Sequence, residues 1–266
     1  MGKDPAGVAT AADGLHVYVS NPTDQSISVI SAETNSVVDE IKIGGNPLGL
    51  VAHPSKPVLY AADWDNHRII VINTATDDVT GYLNTGRTPS GIDISPDGTK
   101  LFVANRDDNN AVVIDVESGD IVATVAVGKA PFGVTFSRDG NLVYVANVQS
   151  GDVSVVDGRT FLVLAHIPVG EFPYAIAEDW KNGYLFVSNQ QESTVSVIDL
   201  SSKREIKRID VGDYPEGVAY EPNLARVYVA NWFSNTVSVI STKSLEEIDA
   251  IDVGDGARAF GKFILP

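Results

Sequence analysis

The chain of 266 residues contains no cysteine and one methionine, Met1. The absence of cysteine excludes disulfides, thiolate nucleophiles and cysteine-ligated metals, and leaves the redox compartment open. Basic residues are scarce: 19 Lys and Arg stand against 35 Asp and Glu, a formal net charge of −16. No Lys/Arg cluster and no alternation of basic with aromatic residues interrupts that balance. Nucleic acid and anionic membrane surfaces are therefore excluded as partners. No apolar run approaches the roughly 18 to 20 residues of a membrane span, so membrane insertion is not expected. The start "MGKDPAGVA" has no apolar signal core. Apolar residues nowhere recur at the helical spacing i, i+3, i+4, so helix should be nearly absent. There is no G-x-S-x-G elbow, P-loop or H-E-x-x-H, and "GDGARAFG" near the end is a superficial dinucleotide fingerprint with no helix after it.

What the sequence does contain is punctuation at a fixed interval. Pro5, Pro47, Pro89, Pro131, Pro173 and Pro215 step by 42, as do Gly44, Gly86, Gly128, Gly170, Gly212 and Gly254. The polar stops Asn21, Asp63, Asn105, Asn147, Asn189 and Asn231 keep the same step. Six copies without insertion or deletion follow, spanning 5–46, 47–88, 89–130, 131–172, 173–214 and 215–256, with 257–266 as the start of a seventh. Within one copy, "GVTFS" (133–137), "LVYVAN" (142–147), "DVSVVD" (152–157) and "LVLAHIPVG" (162–170) read as four strands, the second and third alternating with period two. The "RDG" between the first two supplies the positive φ of a tight hairpin.

Four hairpin-linked strands make a small sheet with two apolar faces, unstable alone. Stacking such sheets in a closed ring buries both faces, and a period of about 40 to 45 residues is that of propeller blades. The fold expected is all-β, one β-propeller domain over 1–266 with four-stranded antiparallel blades, six in number. A seven-bladed ring lacking part of one blade is the alternative. The motifs "YVSN" (18–21), "FVAN" (102–105), "YVAN" (144–147 and 228–231) and "FVSN" (186–189), each followed by a "SVSVID"-like strand and a Gly-x-x-Pro turn, resemble the YVTN-repeat β-propellers of bacterial and archaeal surface and secreted proteins. Blade two departs with "YAAD" (60–63). The resemblance implies a propeller in an extracellular or cell-envelope setting and no one activity. It also implies that "AFGKFI" near the end pairs as inner strand with the first blade and displaces residues 1–12.

Side chains that differ between copies at one end of the ring are the candidate site. Between Pro and the following small residue stand Leu48, Ser90, Phe132, Tyr174, Glu216 and Arg258; after the polar stop stand Trp64, Arg106, Gln190 and Trp232, with Tyr214 and Phe233 nearby. Trp64, Arg106, Phe132, Tyr174, Tyr214, Glu216, Trp232, Phe233 and Arg258 are read as ligand-binding. The three rings in polar loops, Trp64, Trp232 and Phe233, are expected to be exposed. His16, His53, His67 and His166 fall at four different repeat positions and cannot converge on a metal, and the acidic loops 63–66 and 106–110 lack calcium-loop spacing. No cofactor and no metal is expected. The function read from this pattern is a monomeric, non-catalytic interaction module whose top face takes a protein, peptide or glycan. The alternatives are a lactonase- or lyase-type enzyme using Glu216, Arg258 and Tyr174, and a structural envelope module.

Overall fold

The computed structural model describes residues 2–264. Blade 1 comprises β1 (Gly7–Thr10), β2 (His16–Asn21), β3 (Ser26–Ser31) and β4 (Ser36–Lys42). Blade 2 has β5 (Pro47–Ala52), β6 (Val58–Asp63), β7 (Arg68–Asn73) and β8 (Asp78–Asn84), and blade 3 has β9 (Pro89–Ile94), β10 (Lys100–Asn105), β11 (Asn110–Asp115) and β12 (Ile121–Ala126). Blade 4 contains β13 (Pro131–Phe136), β14 (Leu142–Asn147), β15 (Asp152–Asp157) and β16 (Val163–Pro168); blade 5 contains β17 (Pro173–Asp179), β18 (Tyr184–Asn189), β19 (Thr194–Asp199) and β20 (Arg204–Asp210). Blade 6 ends the series with β21 (Pro215–Glu221), β22 (Arg226–Asn231), β23 (Thr236–Ser241) and β24 (Glu246–Asp252). Each is a meander of antiparallel neighbours. One 3-10 turn, Arg106–Asp108, is the sole helical element among the described residues. The all-β, six-bladed propeller is therefore as expected.

The blades hold together by burying the faces that alternation creates. Tyr18, Ile27 and Ile41 of blade 1 meet Leu50, Leu59 and Ile72 of blade 2, and the same positions recur at the interfaces that follow, up to blades 4 and 5. Between blades 5 and 6 the cluster extends to the channel top through Phe132, Tyr174 and Phe260. Close approach of the inner strands explains their glycines: a Cβ on Gly91 or Gly133 would overlap the carbonyl of Phe132 or Tyr174 in the next blade. The loop after each second strand turns through a residue of positive φ at the same repeat position, Gln25, His67, Asn109, Gly151, Ser193 and Asn235.

Closure differs from what the resemblance implied. β1 keeps its place as inner strand of blade 1, antiparallel to β2 with Val8 opposite Val19, so the described part of that segment, residues 2–12, is not displaced. The last strand, β25 (Phe260–Gly261), pairs in parallel with β1 through Gly7–Phe260 and Val8–Gly261. Each chain end thus supplies an inner strand of its own.

Candidate functional site

At the upper face each turn entering an inner strand is tied to the loop after the second strand by the same backbone bond. Trp64 donates to Asn46, Arg106 to Thr88, Gln190 to Phe172 and Trp232 to Tyr214. This brings the residues picked from the sequence into one chain of contacts. Phe132 and Tyr174 stack with centroids 3.9 Å apart, Phe260 lies 5.0 and 5.7 Å from them, and Trp64 lies 6.3 Å from Phe132 with the Arg106 guanidinium 5.9 Å above its ring. Opposite them, Glu216, 1% exposed, accepts from Arg258 Nε at 2.5 Å and from Gln190 Nε2 at 2.6 Å. Arg258 in turn lies 4.4 Å over Trp232, which packs with Tyr214 and Phe233.

The chemistry of this network is that of a clamp. Burial pushes the Glu216 carboxyl up, against the pull of Arg258 and Gln190, and both of its oxygens are engaged. Burial also raises the Tyr174 phenol. Glu216 accepts one bond on each oxygen, and with Arg258 and Tyr174 it ties the C-terminal segment to blades 5 and 6 at the upper end of the channel. The expected exposed rim is reduced as well. Phe233 is 58% exposed, whereas Trp64 and Trp232 are partly buried, one against Phe132 and the other under Arg258. Phe260 was not singled out from the sequence, although the repeat already places it: its equivalents Ile92, Val134, Ile176 and Val218 are buried and line the channel.

The open space lies lower in the channel. A cavity of about 520 Å³ runs along the inner strands, walled by Ile92, Val134, Phe136, Ile176, Val218 and Phe260. Its polar residues are ordered. Asp93, 2% exposed, accepts from Lys262 Nζ at 2.8 Å and from the backbone N–H groups of Ile94 and Phe136. Burial pushes the Glu178 carboxyl up, and it accepts from the backbone N–H of Arg138 at 2.7 Å and from the Tyr144 hydroxyl at 3.3 Å. Trp180 stands at the rim between Arg138 and Lys181, edge-on to Tyr220. The signal for these residues was present but unused: Asp93 and Glu178 are carboxylates inside inner strands whose equivalents are Val51, Thr135, Ala177, Ala52, Ile94 and Phe136. Among the described residues, no three His, Cys, Asp or Glu side chains gather to hold a metal, and no helix is long and apolar enough to cross a membrane.

No curated protein matches the sequence. In structure the chain is similar to a chain of Kuenenia stuttgartiensis hydrazine synthase, at TM-score 0.87 and 18% identity over 97% of this chain and 90% of that one, a likeness of fold alone. The propeller implied by the YVTN-like motifs is upheld, while assignment to the YVTN-repeat family is not. The expectation of a plain non-catalytic interaction module is overturned by the family comparison, which points to heme domains. Residues 65–259 match the model of the cytochrome D1 heme domain, and the chain belongs to that family.

Proposed function

We propose that this chain holds a tetrapyrrole in the lower half of its channel, packed by the inner strands and not bonded through iron to a protein side chain. The observation that carries this is the chamber of about 520 Å³ on the propeller axis, in a chain of a heme-domain family. Small-molecule sites fall at roughly 300 to 1,000 Å³ with mostly apolar walls. A flat macrocycle with carboxylates at its edge suits walls of Ile92, Val134, Ile176 and Phe260 and a rim carrying Lys262 and Arg138.

The donors for iron do not match. His53 is the imidazole along this cavity, and its Nδ1 accepts from the backbone N–H groups of Ser55 and Lys56, both at 3.1 Å. The proton then sits on Nε2, with no lone pair left for a metal. Tyr220 would have to ligate as phenolate, yet burial pushes its phenol up. Lys262 is paired with Asp93, and Met1 lies outside the described residues. The residues therefore do not fit an axially ligated heme iron.

Metal-free protoporphyrin and ferric heme, titrated separately into the protein, should bind within about tenfold of each other and quench fluorescence that is lost in Trp180→Phe. His53→Ala should change neither affinity. Binding confined to the iron form, or abolished in His53→Ala, would overturn the iron-independent mode; absence of binding by both would overturn the reading altogether. A setting outside the cytoplasm, implied by the resemblance to surface and secreted propellers, belongs to this proposal. Cell fractionation tests it, and recovery in the cytoplasm would refute it.

A further inference from the structure

Five apolar clusters join blades 1 to 2, 2 to 3, 3 to 4, 4 to 5 and 5 to 6; among the described residues none joins blade 6 to blade 1. The face that blade 6 turns to this seam is nevertheless built like the others. Tyr228, Val237 and Ile251 stand where Tyr144, Val153 and Ile167 are buried between blades 4 and 5. Ile251 is 45% exposed, against 3, 4, 2 and 5% for its equivalents Ile41, Val125, Ile167 and Ile209, with the fifth, Leu83, partly buried. Val253 is likewise exposed where Ile43 is buried. Across the seam, Val17 and Ile30 of blade 1 are partly exposed, while Leu59 and Ile72 at the same positions of blade 2 are fully covered.

The inner ring shows what the seam is shaped for. The Ala259 carbonyl crowds Gly217, and the Val8 carbonyl crowds Gly261, as each inner strand crowds the one before it elsewhere. β25 therefore fills a seventh inner position between β21 and β1. Among the described residues no second, third or fourth strand stands outside it. On the other flank, the backbone N–H groups of Gly2 and Lys3 donate to Asn21 Oδ1 and Asp24 Oδ2, the arrangement that Gly86 and Arg87 make with Asn105 and Asp108. Residues 2–4 thus sit in the turn that follows an outer strand.

We propose that the seam between blades 6 and 1 is a docking site for a three-stranded β-element of this same repeat, which would complete a seventh blade on β25. The occupant is specified by continuity: the two open faces carry the apolar residues that the five covered interfaces use, in the same register, and the strand such an element must pair with is already in place. Unpaired β edges and exposed apolar faces are the features that recruit added strands.

The test is a fusion of a second copy of Asn141–Pro168, the outer three strands of blade 4, ahead of Met1 of the full chain. Met1 then follows the copied Pro168 as Val169 follows the original. The fusion should remain a monomer in sedimentation, melt above the parent and resist protease within the added segment. Ile251→Glu should lower the melting temperature far less than Ile167→Glu in the parent, and about equally in the fusion. A protease-sensitive addition with no gain in melting temperature, or a fusion that aggregates, overturns the proposal. So does a parent in which Ile251→Glu is as damaging as Ile167→Glu, since the seam would then be covered already. A parent that sediments as a dimer dissolved by Ile251→Glu overturns it in favour of a second copy as occupant.

Discussion

At the residue scale, the polar stop of each second strand is a buried connector. Asn21, Asn105, Asn147, Asn189 and Asn231 are fully buried. Their amides donate to hydroxyls or polar side chains of the third strand, as Asn189 does to Thr194 and Ser196, and in blades 1 and 3 the side-chain oxygen accepts from the turn glycine. Blade 2 has Asp63 at this position, and the departure is compensated nearby: Arg68 Nε donates to Asp63 Oδ2 at 2.9 Å, Asn66 donates to the same carboxylate, and the Asn46 backbone N–H donates to Oδ1. Other blades carry Ser26, Asn110, Asp152, Thr194 or Thr236 where Arg68 stands. Arg68→Ala leaves a buried carboxylate without its cation and should cost about 3 kcal/mol in urea unfolding. Adding Asp63→Asn should restore most of that loss. A double variant no more stable than the single one would show that Arg68 does not answer the Asp.

At the element scale, the inner strands are set by how closely they pass one another. A Cβ on Gly91 would overlap the Phe132 carbonyl, and backbone rather than a flexible side chain is in the way. Gly91→Ala should therefore destabilise by about 2 kcal/mol, while Gly81→Ala in β8, where the added methyl meets nothing within 4 Å, should be neutral or stabilise by roughly 0.5 kcal/mol. Chemical denaturation of the two variants side by side measures this, and equal midpoints would remove close approach as the reason for glycine. The outer strands answer a different demand. β24, "EEIDAID", and β4, "SVVDEIK", put charge along exposed edges, which discourages edge-to-edge association.

At the scale of the whole molecule, the ring is fastened at its ends. Phe260, buried against Phe132 and Tyr174, and Arg258, paired with Glu216, hold the last segment in the channel. Phe260→Ala should cost about 3 kcal/mol. Removing residues 257–266 should lower the melting temperature by more and promote association, read by calorimetry and size exclusion, because it also strands the buried Glu216 and opens the inner ring. A truncated chain as stable and as monomeric as the parent would mean that β1 alone closes the propeller.

Periodicity made the strands, the blade count and the crowded inner glycines readable from the residues alone, because a strict 42-residue step forces each copy into the same hydrogen-bonded register. It also brought Trp64, Arg106, Phe132, Tyr174, Glu216, Trp232 and Arg258 to one face. What those side chains do there was decided by packing. Whether Glu216 faces solvent or is held by Arg258 and Gln190 depends on how the strands of adjacent blades bring those side chains together, which no single copy of the repeat specifies. The lower cavity, the spent lone pair of His53 and the uncovered face of Ile251 arise from closing six like blades around a seventh inner strand. A repeat specifies each blade against its neighbour, whereas the axis and the seam belong to no single pair of neighbours, and only the assembled ring determines them.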